Sequence, residues 1–223
     1  MTIVIAALAA ALLGAVGPFV MRRMPEPPEP DPDKVTYAEL AETRGLAIGL
    51  ALGAALMAGL VAWRIDHVEL LPVWILVSGV GSWLVFIDWR TRLLPYVLVA
   101  PTYVATLALI GLGALLLRDV HVFVDALVAN IVVYVIFRVL HWIARGAFGF
   151  GDVRLSGVLA PALGALGAHE VMVGMYAGFL LGAVFGLVLS RLKIVDPKSY
   201  AFGPYMVIGA VVGAAWAPAM YGA

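Results

Sequence analysis

Residues 70–88 read LLPVWILVSGVGSWLVFID, a run of apolar and small residues that carries no charge until Asp88. A helix needs about 20 mostly apolar residues to cross the hydrocarbon core of a bilayer. This stretch has that length and that composition. It is therefore predicted to be a transmembrane helix with a carboxylate at one end.

The composition extends this interpretation to the whole chain. Of the 223 residues, 64% are hydrophobic and 13% are charged, and the mean hydropathy is +1.04. Soluble domains contain about 45–50% apolar residues, so lipid must be the solvent for most of this chain. The formal net charge of zero gives no indication of nucleic-acid binding. The lack of cysteine excludes disulfides, thiolate metal sites and a cysteine nucleophile, and neither a metal nor a cofactor is expected.

Eight segments are predicted to be spans of an all-α transmembrane bundle. Their predicted bounds are 2–20, 45–63, 70–87, 95–117, 121–144, 155–168, 170–190 and 200–220. The sixth is short, Gly-rich and contains Pro161, so either a short tilted helix or a re-entrant segment is expected there. The chain then divides into a first span (1–21), a solvated proline- and acid-rich loop (22–44) and a transmembrane core (45–223).

Small and polar residues predict how the spans pack, because close backbone approach replaces the hydrophobic effect between helices in lipid. Asn130, deep in the fifth predicted span, is expected to hydrogen-bond to another helix. Three sets of glycines repeat every four residues and predict close helix contacts: Gly45, Gly49 and Gly53; Gly174, Gly178, Gly182 and Gly186; Gly209 and Gly213.

The distribution of Arg and Lys predicts the orientation, because positive charge concentrates in cytoplasmic loops. With eight spans and an external N-terminus, eleven of the 14 cations fall in loops on the cytosolic side. Only Arg64 and Arg118 fall in external loops, and Arg138 lies in the inward half of the fifth span. The chain is therefore predicted to cross the membrane several times, with these loops in the cytosol.

Two acids occupy the ends of predicted spans at the same cytosolic depth. Asp88 ends the third span and Asp152 opens the sixth. The structural alternative for each acid is an ion pair with a nearby arginine. Asp88 would pair with Arg90 or Arg92, and Asp152 with Arg154. Together the two acids suit hydrolysis, since two carboxylates in one site resist double ionisation and one keeps a proton. An ionised and a protonated carboxyl side by side are the catalytic arrangement of aspartic proteases.

Glycines precede the second acid, in Gly149-Phe150-Gly151-Asp152. Glycine permits backbone conformations and close approach that a Cβ would block. A substrate strand that pairs with the backbone beside Asp152 would need this freedom. The alternative is a plain loop between two spans, where glycine is common.

Four stretches of the chain carry a family resemblance. They resemble the motifs of prepilin peptidases, the type IV leader peptidase family. The stretches are Gly14-Ala15-Val16-Gly17-Pro18-Phe19 with Arg22-Arg23 and Pro25; Ile87-Asp88 followed by Leu94-Pro95; Gly149-Phe150-Gly151-Asp152-Val153-Arg154-Leu155; and Ala201-Phe202-Gly203-Pro204-Tyr205. In that family the third of these motifs is G-x-G-D-V-K-L and the fourth is F-G-P-F.

The resemblance implies an aspartic endopeptidase that removes the short basic leader from prepilin-like precursors. The cut in that family follows a glycine and lies on the cytosolic side, just before the apolar helix of the precursor. By the same resemblance, Asp88 and Asp152 are the catalytic pair, and Gly149 and Gly151 are glycines of the active-site loop. The structural positions near the site are Pro95, Gly203 and Pro204.

The chain departs from the family at two points. Arg154 stands where the family usually has lysine, and Arg and Lys are not interchangeable. Arg154 is a candidate for holding a substrate carboxylate or for tuning Asp152. Many members carry a cysteine-rich cytosolic domain between the first two spans, associated with N-methylation, whereas residues 22–44 contain no cysteine. A short form without methyltransferase activity is therefore predicted.

Two other classes of function remain open from the sequence. A presenilin-like or archaeal preflagellin-type relative would share the G-x-G-D chemistry. A small ion-coupled transporter or a non-catalytic assembly scaffold for pili or secretion would use the aspartates differently. A transporter more naturally places an acid near the middle of the membrane, whereas Asp88 and Asp152 are predicted at one face. The oligomeric state and the identity of the precursor are not predicted.

Overall fold

A computed structural model describes residues 1–26, 35–143, 149–191 and 201–221. Within these ranges the chain forms α-helices and no strand, which confirms the predicted all-α bundle. The helices are α1 (Thr2–Ala15), α2 (Gly17–Met21), α3 (Tyr37–Ala41), α4 (Leu46–Arg64), α5 (Leu71–Thr91), α6 (Tyr96–Leu117), α7 (His121–Ile143), α8 (Phe150–Gly164), α9 (Ala168–Arg191) and α10 (Gly203–Tyr221).

The helices long and apolar enough to cross a membrane number six among the described residues. They cover Thr2–Met21, Leu46–Arg64, Val68–Thr91, Tyr96–Leu117, His121–Ile143 and Ala168–Gly186. The eighth predicted span corresponds to α10, whose described apolar part is shorter, Gly203–Trp216. The sixth corresponds to α8, which has only 15 residues.

Helix α8 differs from the prediction in its bounds and in its surroundings. It begins at Phe150, five residues before the predicted start of 155, because Gly149 is extended and the helical conformation follows directly. Twelve of its 15 residues are buried, against α5, α6, α7, α9 and α10. Close contact with α7 depends on a missing side chain, since a Cβ at Gly164 would lie 2.5 Å from the Cβ of Ala129. Helix α8 is therefore the centre of the bundle.

The predicted close contacts form at some of the glycine repeats and not at others. Helices α9 and α10 make extensive contact, and a Cβ at Gly209 would lie 2.6 Å from the backbone oxygen of Gly174. This pair confirms the predicted close approach. The prediction is wrong for Gly49 and Gly53, because a Cβ at either would have no atom within 4 Å. Those two glycines face away from the neighbouring helices.

The loop between the first two spans is described only in part, since residues 27–34 lie outside the described ranges. Helix α3 is capped by Thr36, whose hydroxyl accepts a hydrogen bond from the N–H of Glu39. Tyr37 and Leu40 are buried and join the main hydrophobic core. The prediction of a solvated linker is therefore wrong for this end of the loop, which packs against α2.

Candidate active site

The end of α5 holds Asp88 in a defined position. The Thr91 hydroxyl donates a hydrogen bond to the carbonyl oxygen of Ile87 at 2.8 Å. Arg92 then adopts a left-handed conformation, with φ of 56°, and its N–H donates to the backbone oxygen of Asp88 at 2.7 Å. This arrangement satisfies carbonyl groups that a helix end otherwise leaves without partners. Asp88 thus lies in the last turn of α5, and its side chain is only 4% exposed.

Asp152 occupies the first turn of α8, where the helix dipole favours a negative group. Its backbone N–H donates to the carbonyl oxygen of Gly149 at 3.2 Å. Its side chain is 8% exposed. Two aspartates from the ends of separate helices are therefore both buried in the protein.

Space is tight at both glycines that precede Asp152. A Cβ at Gly149 would lie 3.1 Å from Oδ2 of Asp152, and a Cβ at Gly151 would lie 3.0 Å from the Cβ of Leu94. Gly149 caps the helix in an extended conformation, as a loop residue would. Gly151 belongs to the first turn of α8, so the prediction that it is a loop glycine is wrong. Its role is close packing against the segment between α5 and α6.

The two carboxyl groups interact electrostatically. Asp152 lies in α8, outside the six candidate spans. Burial, with a further contribution from the nearby Asp88 carboxylate, raises the pKa of Asp152 to about 7, against a smaller opposing effect of a hydrogen bond from the Gly149 backbone. Desolvation and a like charge both disfavour the ionised form of an acid. Burial and the neighbouring carboxylate therefore favour the protonated form of Asp152 up to about neutral pH.

The start of α10 completes the surroundings of Asp88. The backbone N–H of Gly203 donates to Oδ2 of Asp88 at 2.9 Å. A Cβ at residue 203 would lie 2.7 Å from the same oxygen, so a side chain would displace the carboxylate. Pro204 follows in the first helical turn, where a missing N–H has no cost. Sequence reasoning assigned Gly203 a structural position and missed its role as a donor, which an unpaired N–H at a predicted helix start could have indicated.

Pro95 lies at the junction of α5 and α6. It is the N-cap of α6 and has an extended conformation, with ψ of 124°. The preceding Leu94 is buried and contacts Gly151. The predicted structural position near the site thus matches a turn that packs on the first turn of α8.

Arg154 stacks on two aromatic rings. Its guanidinium carbon lies 4.8 Å from the ring centroid of Tyr96 and 4.8 Å from that of Phe150. Cations at this distance are attracted by the face of an aromatic ring. Among the described residues the alternative of an ion pair between Arg154 and Asp152 is therefore wrong.

The predicted interhelical hydrogen bond of Asn130 is confirmed. Its Nδ2 donates to the Tyr103 hydroxyl at 2.7 Å, which joins α7 to α6. The described part of the chain has no group of three or more His, Asp or Glu side chains that could hold a metal ion.

These features define the class of protein: a polytopic helical membrane protein with two buried aspartates at neighbouring helix ends. A model of the type IV leader peptidase family matches residues 73–190, more than half of the chain, and this segment includes both aspartates. The chain belongs to the type IV leader peptidase family, and protease activity follows from that membership. A search of curated proteins and of solved structures found no match.

Proposed function

We propose that the chain is an aspartic endopeptidase that removes the short basic leader from type IV prepilin-like precursors, with Asp88 and Asp152 as its catalytic pair. The observation that carries the proposal is the convergence of two buried carboxyl groups inside the segment that matches the leader peptidase family. Residues 45–223 form the peptidase core. The G-x-G-D motif supplies the close packing that brings Asp152 to its partner.

The reaction needs one water molecule as the nucleophile. Asp88, ionised, takes a proton from this water as the oxygen attacks the scissile carbonyl carbon. Asp152, protonated, donates its proton to the carbonyl oxygen. When the tetrahedral intermediate collapses, the C–N bond breaks, the nitrogen receives the proton from Asp88, and Asp152 recovers its own proton. Paired carboxyl groups that share a proton perform this chemistry in aspartic proteases.

The balance of burial and hydrogen bonding supports this division of roles, because at Asp152 burial outweighs the hydrogen bond from Gly149. Asp88 accepts a hydrogen bond from Gly203, at the start of α10, where the backbone presents unpaired N–H groups and a partial positive charge. A carboxylate oxygen suits that position. Asp152 has the raised pKa described above and is the donor near neutral pH.

The substrate and the side of cleavage follow from the resemblance and the charge pattern. Prepilin-like precursors carry a basic leader, then a glycine, then an apolar helix that lies in the membrane. The predicted orientation puts the ends of α5 and α8 at the cytosolic face of the bacterial cytoplasmic membrane. The leader would therefore be cut in the cytosol while the apolar helix stays in lipid.

Co-expression of this protein with a panel of pilin, pseudopilin and tight-adherence pilin precursors in bacterial membranes tests the proposal. Mass spectrometry of the precursors would compare wild type with Asp88→Asn and Asp152→Asn. Asp66→Asn is a matched control, because Asp66 is an exposed aspartate remote in sequence from both. Cleavage after a glycine by wild type and Asp66→Asn, and by neither of the other variants, is the expected result.

Other outcomes would contradict specific parts. Cleavage that survives Asp88→Asn or Asp152→Asn would exclude that residue from the catalytic pair. Folded wild-type protein that leaves every precursor intact would favour a transporter or an assembly scaffold. A mass increase of one methyl group on the product would show that the expected lack of methyltransferase activity is wrong.

A further inference from the structure

A groove lies between α6 and α7, with α8 as its floor. Its volume is about 380 Å³, within the range of roughly 300–1,000 Å³ typical of ligand pockets. Tyr96 and Tyr103 line it from α6, Asn130 and Tyr134 from α7, and Arg154 and Gly157 from α8. Tyr96 is 63% exposed and Tyr134 is 41% exposed, so the groove opens to the outside of the bundle. We call this feature the lateral groove.

The lateral groove adjoins the candidate active site through α8. Val153 lines the groove and directly follows Asp152 in the helix. Gly157 lies one turn further along the floor. From Tyr96 to Tyr103 the groove follows one face of α6 for two turns, which corresponds to about 10 Å along the helix axis. A segment that lies in the groove would thus run along the bundle and pass Val153, the residue next to Asp152.

The groove carries polar groups at two depths. Arg154 lies near the start of α8, stacked on Tyr96 and Phe150, and has no carboxylate partner among the described residues. Deeper, the bond from Asn130 to Tyr103 leaves the Tyr103 hydroxyl proton and the Asn130 Oδ1 without a partner in the described part of the chain. Polar groups at membrane depth are expensive unless they are paired. The arrangement therefore suits an occupant that brings both apolar surface and hydrogen-bonding groups.

We propose that the lateral groove binds the apolar helix of the peptide substrate just beyond the scissile bond. This inference rests on the proposed function and adds the site that recognises the membrane-embedded part of the substrate. A peptide helix packs apolar side chains along the groove, and a Ser or Thr side chain on it supplies the hydrogen-bonding group for Tyr103 and Asn130. The tail of a phospholipid has no group that could pair with these two residues. The cation of Arg154 faces acceptor oxygens of the substrate near the cleaved end.

Gly157 provides a substitution that fills the groove. A Cβ at this position would lie 3.8 Å from the Asn130 Oδ1 and 3.8 Å from the Tyr103 ring, which is ordinary contact. Gly157→Ala therefore fits, whereas the longer side chain in Gly157→Leu projects into the groove. Gly49→Leu is the matched control, because a Cβ at Gly49 has no atom within 4 Å. Each variant also replaces a glycine inside a helix, so helix propensity rises in all of them and does not distinguish the control from the test.

The first measurement is cleavage kinetics in proteoliposomes, with a precursor that wild type cuts. We expect Gly157→Leu to raise KM about tenfold or more, because an overpacked groove excludes the substrate helix. Gly49→Leu should stay within about twofold of wild type, as surface changes do, and Gly157→Ala should raise KM less than Gly157→Leu because its methyl group makes only ordinary contacts. Thermal unfolding would show that all three are folded. Wild-type KM and kcat in a folded Gly157→Leu variant would overturn the inference.

The second measurement is photo-crosslinking and needs no catalysis. A photoreactive phenylalanine replaces Tyr134 in the groove or, as a control, Leu52, which is 66% exposed on α4. With Asp88→Asn as background and saturating precursor, position 134 should capture the apolar helix of the precursor and position 52 should not. Adducts of position 134 with phospholipid alone would overturn the inference.

The two proposals fail separately. Loss of cleavage in Asp88→Asn and Asp152→Asn with no effect of Gly157→Leu and no precursor adduct would overturn the groove and leave the proposed function intact. Absence of any cleavage by wild type would contradict the proposed function, and an adduct at position 134 would then still support the groove as a site for apolar helices.

Discussion

The backbone N–H of Gly203 donates a hydrogen bond to Oδ2 of Asp88 at 2.9 Å, across 115 positions of sequence. The bond joins the first residue of α10 to the last turn of α5. Since a Cβ at residue 203 would lie 2.7 Å from the same oxygen, any side chain there would force the Asp88 carboxylate to shift. Asp88 is therefore oriented by an element that lies outside the segment matched to the family, residues 73–190.

Gly203→Ala is expected to reduce activity while leaving the fold in place. The added methyl group would displace the Asp88 carboxylate and break its hydrogen bond, so kcat should fall by about ten- to a hundredfold. Gly53→Ala is the matched control, because a Cβ at Gly53 meets no atom within 4 Å. Rates of precursor cleavage in proteoliposomes measure both. Equal activity of Gly203→Ala and wild type would show that this contact does not orient the catalytic group.

Gly151 and Leu94 are expected to be energetically coupled. A Cβ at Gly151 would lie 3.0 Å from the Cβ of Leu94, so Gly151→Ala should push α8 away from the turn before α6 and lower both stability and activity. Leu94→Ala alone removes buried apolar contacts and is also destabilising. The double variant should recover only part of the loss, since Leu94→Ala removes the Cγ and Cδ1 atoms at 3.5 and 3.4 Å but keeps the Cβ at 3.0 Å.

Unfolding temperatures of the four proteins in a double-mutant cycle give the coupling energy. We expect a favourable interaction of about 0.5–3 kcal/mol in the double variant, the range for residues in contact. Strictly additive losses would mean that the Gly151–Leu94 contact is not what requires glycine at this position.

Activity is expected to fall as the pH rises past about 7. The pKa of Asp152 is raised to about 7, so above that pH the group progressively loses the proton that it donates to the scissile carbonyl. The decline in kcat should approach about tenfold per pH unit once Asp152 is mostly ionised, because each unit removes nine-tenths of the remaining acid form. A pH profile between 6 and 9 with intact proteoliposomes measures this. A flat or rising profile over that range would exclude Asp152 as the acid.

Stability should also depend on pH through Asp152, in a direction that the pKa determines. The folded pKa of about 7 lies above the ordinary value of 3.8, so between these values the folded state binds more protons than the unfolded state. The free energy of unfolding contributed by this group is therefore greatest below 3.8 and falls as the pH rises to about 7. Asp152→Asn removes this dependence.

The comparison of wild type with Asp152→Asn at pH 5 and pH 8 tests the linkage. Relative to the variant, the unfolding temperature of wild type should drop by roughly a few degrees at the higher pH. Asp66→Asn should follow wild type at both pH values. A constant difference between wild type and Asp152→Asn would mean that Asp152 is not held protonated by burial.

Hydropathy predicted most of the fold because the lipid-facing helices must be apolar along their length. The segments around α4, α5, α6 and α7 were located within a few residues of their bounds. Helix α8 was located least well. Because it is enclosed by other helices and contacts lipid little, neither its length nor its start is constrained by the thickness of a bilayer.

The glycine repeats show why pattern alone cannot define packing. Gly49 and Gly53 have the same spacing as Gly209 and Gly213, yet only the second pair lies against another helix. A period of four residues puts small residues on one helix face, but the position of the neighbouring helix depends on the whole bundle. The lateral groove likewise depends on how whole helices are placed, since residues of α6, α7 and α8 together line it.

The sequence by itself determined that this is a helical membrane protein with acids at two predicted helix ends, because length and polarity are local properties of each segment. It also identified the motifs by which the chain resembles the leader peptidases. Only the tertiary structure decided that Asp88 and Asp152 interact, that Gly203 donates to Asp88, and that Arg154 stacks on Tyr96 and Phe150. Apart from the stacking of Arg154 on Phe150, which lies one turn away in α8, each of these is a contact between different helices, and such contacts follow from how the helices pack together.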